Sequence, residues 1–223
     1  MAQINGVKHI IFDWDGVIAD SFEHQHKFFK AACKKFGKTY NIKTIDELRE
    51  YYKEPFRLMY EDWGFDLDNK EELDALTGYF RKFNDSNHVK LFPNMPSILK
   101  ELHEKGFSLN IVSSNREFVV HKWMKEHHVD KYFTHVITYD RRTAHREKPA
   151  PDLILLCIEK LGARKEECAY IGDQRFDIQA ARHAGIRSIA VTWGYGHVTK
   201  LIAENPDHTV NKPEELLELF MHP

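Results

Sequence analysis

The first strong pattern along the chain is an apolar run, Ile10-Ile11-Phe12, that ends in Asp13-Trp14-Asp15-Gly16 before Val17 and Ile18. A short apolar run bounded by a turn signal predicts a buried strand, as in a parallel sheet. From about Asp20 to about Val89 the period becomes helical and no strand pattern appears. Asp20-Ser21 predicts an N-cap. Phe22, His26, Phe29, Cys33 and Phe36 follow on one helical face, and Gly37 stops it. Thr44-Ile45-Asp46-Glu47 reads as a capping box, Pro55 as a break, and Asn69-Lys70-Glu71-Glu72 as a second cap. Leu91-Phe92-Pro93-Asn94-Met95 reads as a hinge, because its proline ends the helical pattern.

Beyond that proline the pattern alternates. Apolar runs predict strands over 107–112, 134–138, 168–171, 187–192 and 208–211. Helical periods fall after Pro96, over 118–126, 153–161 and 177–183, and again after Pro213. Strands alternating with helices predict the α/β class: a Rossmann-like, mostly parallel sheet flanked by helices. Residues 20–89 are too long for a crossover. They predict an all-helical domain inserted into a core made of 1–19 and 90–223. An insert beside the end of the first strand can act as a lid that excludes water, or merely thicken the fold.

Composition narrows the field of functions. The chain has 223 residues, 42% apolar and 30% charged, with a formal net charge of −2. Such a balance argues for neither nucleic acid nor a membrane surface as partner. No apolar run approaches a membrane span, and the N-terminal stretch lacks a signal-peptide pattern. Cys33, Cys157 and Cys168 are odd in number and form no Cys-x-x-Cys, which fits reduced thiols in a cytoplasmic protein. The 14 histidines are scattered, with no His-x-x-x-His pair.

Polar groups gather at the predicted strand ends, where open α/β sheets bind ligands. The first strand delivers Asp13 and Asp15, the second Ser113 with Ser114 and Asn115, and a later one Asp173 with Asp177. Lys148 sits in a loop after the third. Each has a plain alternative. Asp15-Gly16 can be only a turn, Ser113 or Asp173 only a helix cap, Lys148 only a solvated lysine, and Asp177 only a first-turn acid. Together they suit one chemistry. Carboxylates from separate strands suit Mg²⁺, which takes few carboxylates plus phosphate oxygens and water. A hydroxyl and a lysine suit a phosphate. A carboxylate can then attack phosphorus while a second one moves the proton.

Asp13-Trp14-Asp15-Gly16-Val17, Ser113 after its apolar strand, Lys148-Pro149, and Gly172-Asp173-Gln174-Arg175-Phe176-Asp177 resemble the four motifs of the haloacid dehalogenase superfamily. Order and spacing both match, over essentially the whole chain. The helical insert is similar to that superfamily's C1-type cap. Lys148-Pro149-Ala150-Pro151-Asp152 and Trp193-Gly194-Tyr195-Gly196 are similar to the phosphoglycolate phosphatase group. The resemblance implies a role for each residue. Asp13 would be nucleophile and magnesium ligand. Asp15 would be general acid/base and bind magnesium through its carbonyl. Ser113, with Ser114, and Lys148 would hold the phosphoryl group. Asp173 would bind magnesium, and Asp177 would bind its waters or orient Lys148. Asp15 argues for phosphate chemistry over carbon–halogen cleavage, since true haloacid dehalogenases lack it.

The reading that follows is a magnesium-dependent phosphatase for a small phosphorylated metabolite. The alternative is a phosphomutase of the β-phosphoglucomutase type, a choice that Val17, in place of the threonine of many phosphatases, leaves open. A signalling receiver domain uses similar groups but leaves no place for the helical insert. In that insert Lys53, Arg57 and Tyr60 flank Pro55, and Arg57 is the first candidate to meet a substrate anion. A surface position for each is the plainer reading. The basic stretch 141–146 is read as a solvated loop, with substrate or partner contact as the alternative.

Overall fold

A computed structural model describes residues 4–140 and 143–221. The chain divides into two compact units, Ser21–Lys90 and the remainder.

The larger unit holds a six-stranded sheet. Its strands are β1 (His9–Phe12), β4 (Ser108–Ser113), β5 (Phe133–Thr138), β6 (Cys168–Gly172), β7 (Arg187–Val191) and β8 (His208–Val210). The order is β5-β4-β1-β6-β7-β8 and every pairing is parallel. β1 is therefore central. Phe12 lies opposite Ile111 on one side and Ile171 on the other, so the ends of β1, β4 and β6 leave the sheet side by side. β2 (Ala19–Asp20) and β3 (Lys90–Leu91) form a separate two-stranded ribbon. The α/β expectation is borne out.

The helices of this unit are α5 (Met95–Glu104), α6 (Glu117–Glu126), α7 (Asp152–Leu161), α8 (Arg175–Ala184), α9 (Val198–Ile202) and α10 (Glu215–Met221). Leu153, Ile154 and Cys157 of α7, with Ala180, Ala181 and Ala184 of α8, share one buried cluster with Ile11, Val112 and Tyr170. Small alanines let α8 lie close over the sheet. Apolar burial of this kind is worth about 1.5–3 kcal/mol for each large aliphatic side chain, which is what holds the strand ends in place.

Two details differ from the sequence pattern. α8 begins at Arg175, not Asp177, because Gln174 is its N-cap and Asp177 closes a reciprocal capping box on it. The five-residue α9 was not anticipated, being too short to show a period.

The smaller unit contains only helices between its ends: α1 (Phe22–Phe36), α2 (Ile45–Tyr51), α3 (Arg57–Asp62) and α4 (Lys70–Asp85). Gly37 closes α1 in the left-handed conformation, and Thr44 and Asn69 cap α2 and α4 with their side chains. Ser21 occupies the N-cap of α1, but its side chain does not make the capping bond. The core is aromatic. Phe28 meets the edges of Phe80 and Phe83 at 4.7 and 5.3 Å, and Trp63 packs on Phe29 and Tyr40.

Candidate active site

The β1 strand ends by delivering Asp13 into a buried pocket of charge. Asp13 Oδ1 accepts a hydrogen bond from its neighbour's backbone, Trp14 N, at 2.8 Å. Its Oδ2 lies 2.9 Å from Lys148 Nζ. The same ammonium reaches Asp177 Oδ1 at 2.7 Å and the Tyr170 hydroxyl at 3.3 Å. Lysine is a compact point charge on a flexible stem, and here three acceptors fix it.

The Lys148 loop is itself tied down. The Arg146 guanidinium and backbone N–H both bond the Asp152 carboxylate at the start of α7. His183 Nδ1 meets the Pro149 carbonyl at 2.9 Å. Arg146 thus anchors this loop, and Arg141 and Arg142 of the same basic stretch lie outside the described residues.

Asp173, at the end of β6, is wholly buried. Its Oδ2 accepts from Tyr195 N at 2.9 Å and Gly196 N at 3.0 Å. Its Oδ1 is buried and accepts no hydrogen bond. Such an orphan acceptor costs about 1–3 kcal/mol unless something meets it. Asp177 differs, because both of its oxygens are engaged: Oδ1 by Lys148, Oδ2 by Gln174 N at 2.9 Å.

Ser113 ends β4, and its Oγ accepts from Asn115 N at 3.1 Å. Ser114 beside it is half-buried. Asp15 is buried and its Oδ2 accepts from Asn115 Nδ2 at 2.9 Å.

Charge is out of balance here. Asp13, Asp15, Asp173 and Asp177 are all buried, and Lys148 brings one positive charge among them. Burial pushes the Asp13 carboxyl up to about 7, against the pull of Lys148. Burial also pushes Asp173 well above the usual carboxylate range, and the nearby charges of Asp177 and Asp13 add to it. Asp13, Asp173 and Asp177 each bring one carboxylate oxygen within 4.8 Å of the others. A hard, oxygen-seeking dication fits this donor set, with the unmet Asp173 Oδ1 as its clearest ligand atom.

Several residues of this pocket had no role in the sequence pattern. Tyr170 reads as core on an apolar strand, yet its hydroxyl donates to the Val112 carbonyl at 3.0 Å and accepts from Lys148. The signal was its place, three residues before Asp173 on a strand whose other members carry no hydroxyl, amide or charge. The loop after β7 cradles Asp173 with two backbone amides, and Trp193 Nε1 donates to the Val17 carbonyl at 3.1 Å.

Within the helical unit Arg57 is half-buried and its fork is filled. Its guanidinium grips Asp68 with two nitrogens and Glu61 with a third. Lys53 pairs with Asp62, to which Tyr51 also donates.

Known proteins resemble this chain along nearly its whole length. The chain is 28% identical over 222 residues to a phosphoglycolate phosphatase of Vibrio parahaemolyticus, covering 96% of each. It is 27% identical over 217 residues to the pyrophosphatase PpaX of Oceanobacillus iheyensis, again 96% of each. A haloacid dehalogenase-like family hydrolase from Streptococcus pneumoniae superposes with a TM-score of 0.79 at 25% identity, covering 96% of this chain and 98% of that one. The sequence pattern of the haloacid dehalogenase-like hydrolases matches residues 10–191, and the chain belongs to that family.

Proposed function

We propose that this protein is a magnesium-dependent phosphatase that hydrolyses a small phosphorylated metabolite through an aspartyl phosphate on Asp13. The observation that carries this reading is the position of the Asp13 carboxylate. It sits 2.9 Å from the Lys148 ammonium and shares a 4.8 Å cluster with Asp173 and Asp177. An anionic nucleophile meets an anionic phosphate only where positive charge offsets both.

Asp13 and Asp173 would hold the cation, together with the Asp15 carbonyl. A bound Mg²⁺ would supply charge neutralisation at the phosphoryl oxygens. Lys148 and the Ser113 hydroxyl, with Ser114 next to it, would position those oxygens. Asp13 bonds to phosphorus as the bond to the leaving oxygen breaks, and Asp15 gives that oxygen its proton. Asp15 then takes a proton from water as the water oxygen bonds to phosphorus and the bond from phosphorus to Asp13 breaks. Inorganic phosphate leaves, and both carboxyl groups return to their starting state. Asp177 holds Lys148 in line through its 2.7 Å contact.

The relatives' names support a small anionic substrate. Pyrophosphate and phosphoglycolate each carry a second anionic group beside the phosphoryl that would be transferred. Recognition of that group we assign to the helical unit, with Arg57 as first candidate. An anion there would have to displace Asp68 or Glu61.

The test is phosphate release from pyrophosphate, phosphoglycolate, sugar phosphates and nucleotides, with Mg²⁺ or with chelator, and with Asp13→Asn protein as blank. Magnesium-dependent release that vanishes in the variant is the expected result. Release that persists in Asp13→Asn overturns the nucleophile. Isomerised sugar phosphates without release would replace the hydrolase with a mutase.

A further inference from the structure

Asn115 stands where two parts of the site meet. Its backbone N–H donates to Ser113 Oγ at 3.1 Å, and its side-chain amide donates to Asp15 Oδ2 at 2.9 Å. The amide cannot be turned the other way round. Asn115 Oδ1 accepts from Arg116 N at 2.7 Å, and a backbone N–H can meet only the oxygen. The remaining nitrogen therefore faces the carboxylate. Sheet register explains why residues a hundred positions apart meet. Phe12 of β1 lies opposite Ile111 of β4, and both chains then run past the same sheet edge.

We propose that Asn115 is a positioning residue for phosphoryl transfer, holding the Asp15 carboxyl group to the turn that carries Ser113. This rests on the reading of Asp15 as general acid/base. Asp15 lies beyond the β1 ladder, which ends at Phe12, so the sheet does not fix its side chain. The Asn115 amide supplies a restraint on that side chain from the β4 side of the sheet edge. It links the group that donates the proton to the hydroxyl that would hold the phosphoryl oxygens. As the bond from phosphorus to the leaving oxygen breaks and Asp13 bonds to phosphorus, the proton passes from Asp15 to that oxygen. A misplacement on the order of 1 Å is enough to cost about a hundredfold in such a transfer.

Leaving-group dependence separates this role from a merely structural one. An alkyl phosphate needs its leaving oxygen protonated, whereas p-nitrophenyl phosphate leaves as a stable anion and needs little help. The parameter kcat/KM stops at phosphorus–oxygen cleavage, so it reports that proton transfer and not the later attack of water. For Asn115→Ala, the ratio of kcat/KM for an alkyl phosphate to that for p-nitrophenyl phosphate should fall about tenfold or more. Asn115→Asp keeps the acceptor for Arg116 N and replaces the donor to Asp15 with a second carboxylate that pushes the Asp15 carboxyl away, so it should lower the same ratio. It decides the question if the alanine variant does not fold. With wild type active and Asp13→Asn dead, an equal loss on both substrates overturns the role of Asn115 alone. Wild-type protein that releases phosphate from neither substrate overturns the phosphatase reading and this inference with it.

Discussion

Gly16 and Asp173 touch so closely that a methyl group at residue 16 would overlap the Asp173 carboxylate. The backbone at Gly16 also has φ +80°, a left-handed conformation that only glycine adopts without cost. The turn after β1 is thus shaped around a carboxylate from another strand. Gly196 lies against the same residue, and a side chain there would run into the Asp173 backbone.

Gly16→Ala should therefore displace Asp173 instead of simply straining the turn. The left-handed backbone alone would cost about 1 kcal/mol, which a folded core tolerates. The displaced carboxylate is the larger effect. Activity should fall a hundredfold or more while the far-ultraviolet circular dichroism is kept. Near-wild-type turnover in Gly16→Ala would show that Asp173 tolerates displacement.

Tyr170→Phe removes one oxygen that serves two neighbours, the Val112 carbonyl and the Lys148 ammonium. Losing a buried hydrogen bond of this kind should cost about 1–2 kcal/mol of stability. Lys148 keeps its contacts to Asp13 and Asp177, so turnover should fall several-fold and not vanish. Urea denaturation and kcat on one preparation check both halves. Unchanged stability would mean that the Tyr170 hydroxyl is not carrying these contacts.

Metal and proton should compete for the same oxygens. Burial raises the folded-state values of Asp13, to about 7, and of Asp173, well above the ordinary carboxylate range. A raised carboxyl contributes stability that is present below its ordinary unfolded value, roughly 4, and is lost as pH rises through the folded value. Metal-free protein should lose this contribution as pH climbs toward 7 and beyond. Magnesium would bind the ionised form and so recover it. The rise in melting temperature caused by Mg²⁺ should be small at pH 5.5 and larger at pH 8, with affinity gaining up to about tenfold per pH unit where one proton is released. Asp173→Asn should remove the Mg²⁺ effect. A magnesium shift independent of pH would place the ion on other ligands.

Local pattern alone carried much of this protein. Apolar runs marked β1, β4 and β6, since a strand buried on both faces must be apolar throughout. Glycine and asparagine marked α1 and α4, because caps satisfy backbone groups locally. The acids at the strand ends were visible as polar residues breaking apolar runs. What the sequence could not contain was which atoms meet across the sheet. Ser113, Asp13 and Asp173 become neighbours only because β1 pairs with both β4 and β6. The α8 cap itself is local, with Asp177 serving Gln174 N through one oxygen, but the other oxygen meets Lys148, 29 positions away. Tyr170 was invisible as a site residue, and Asn115 was visible only as a polar residue at a strand end, for the same reason. Their partners lie 22 and 100 positions away, and a hydrogen bond between distant residues leaves no period in a chain. Local periodicity therefore determined the elements, while the polar contacts at the sheet edge were decided by long-range register and burial.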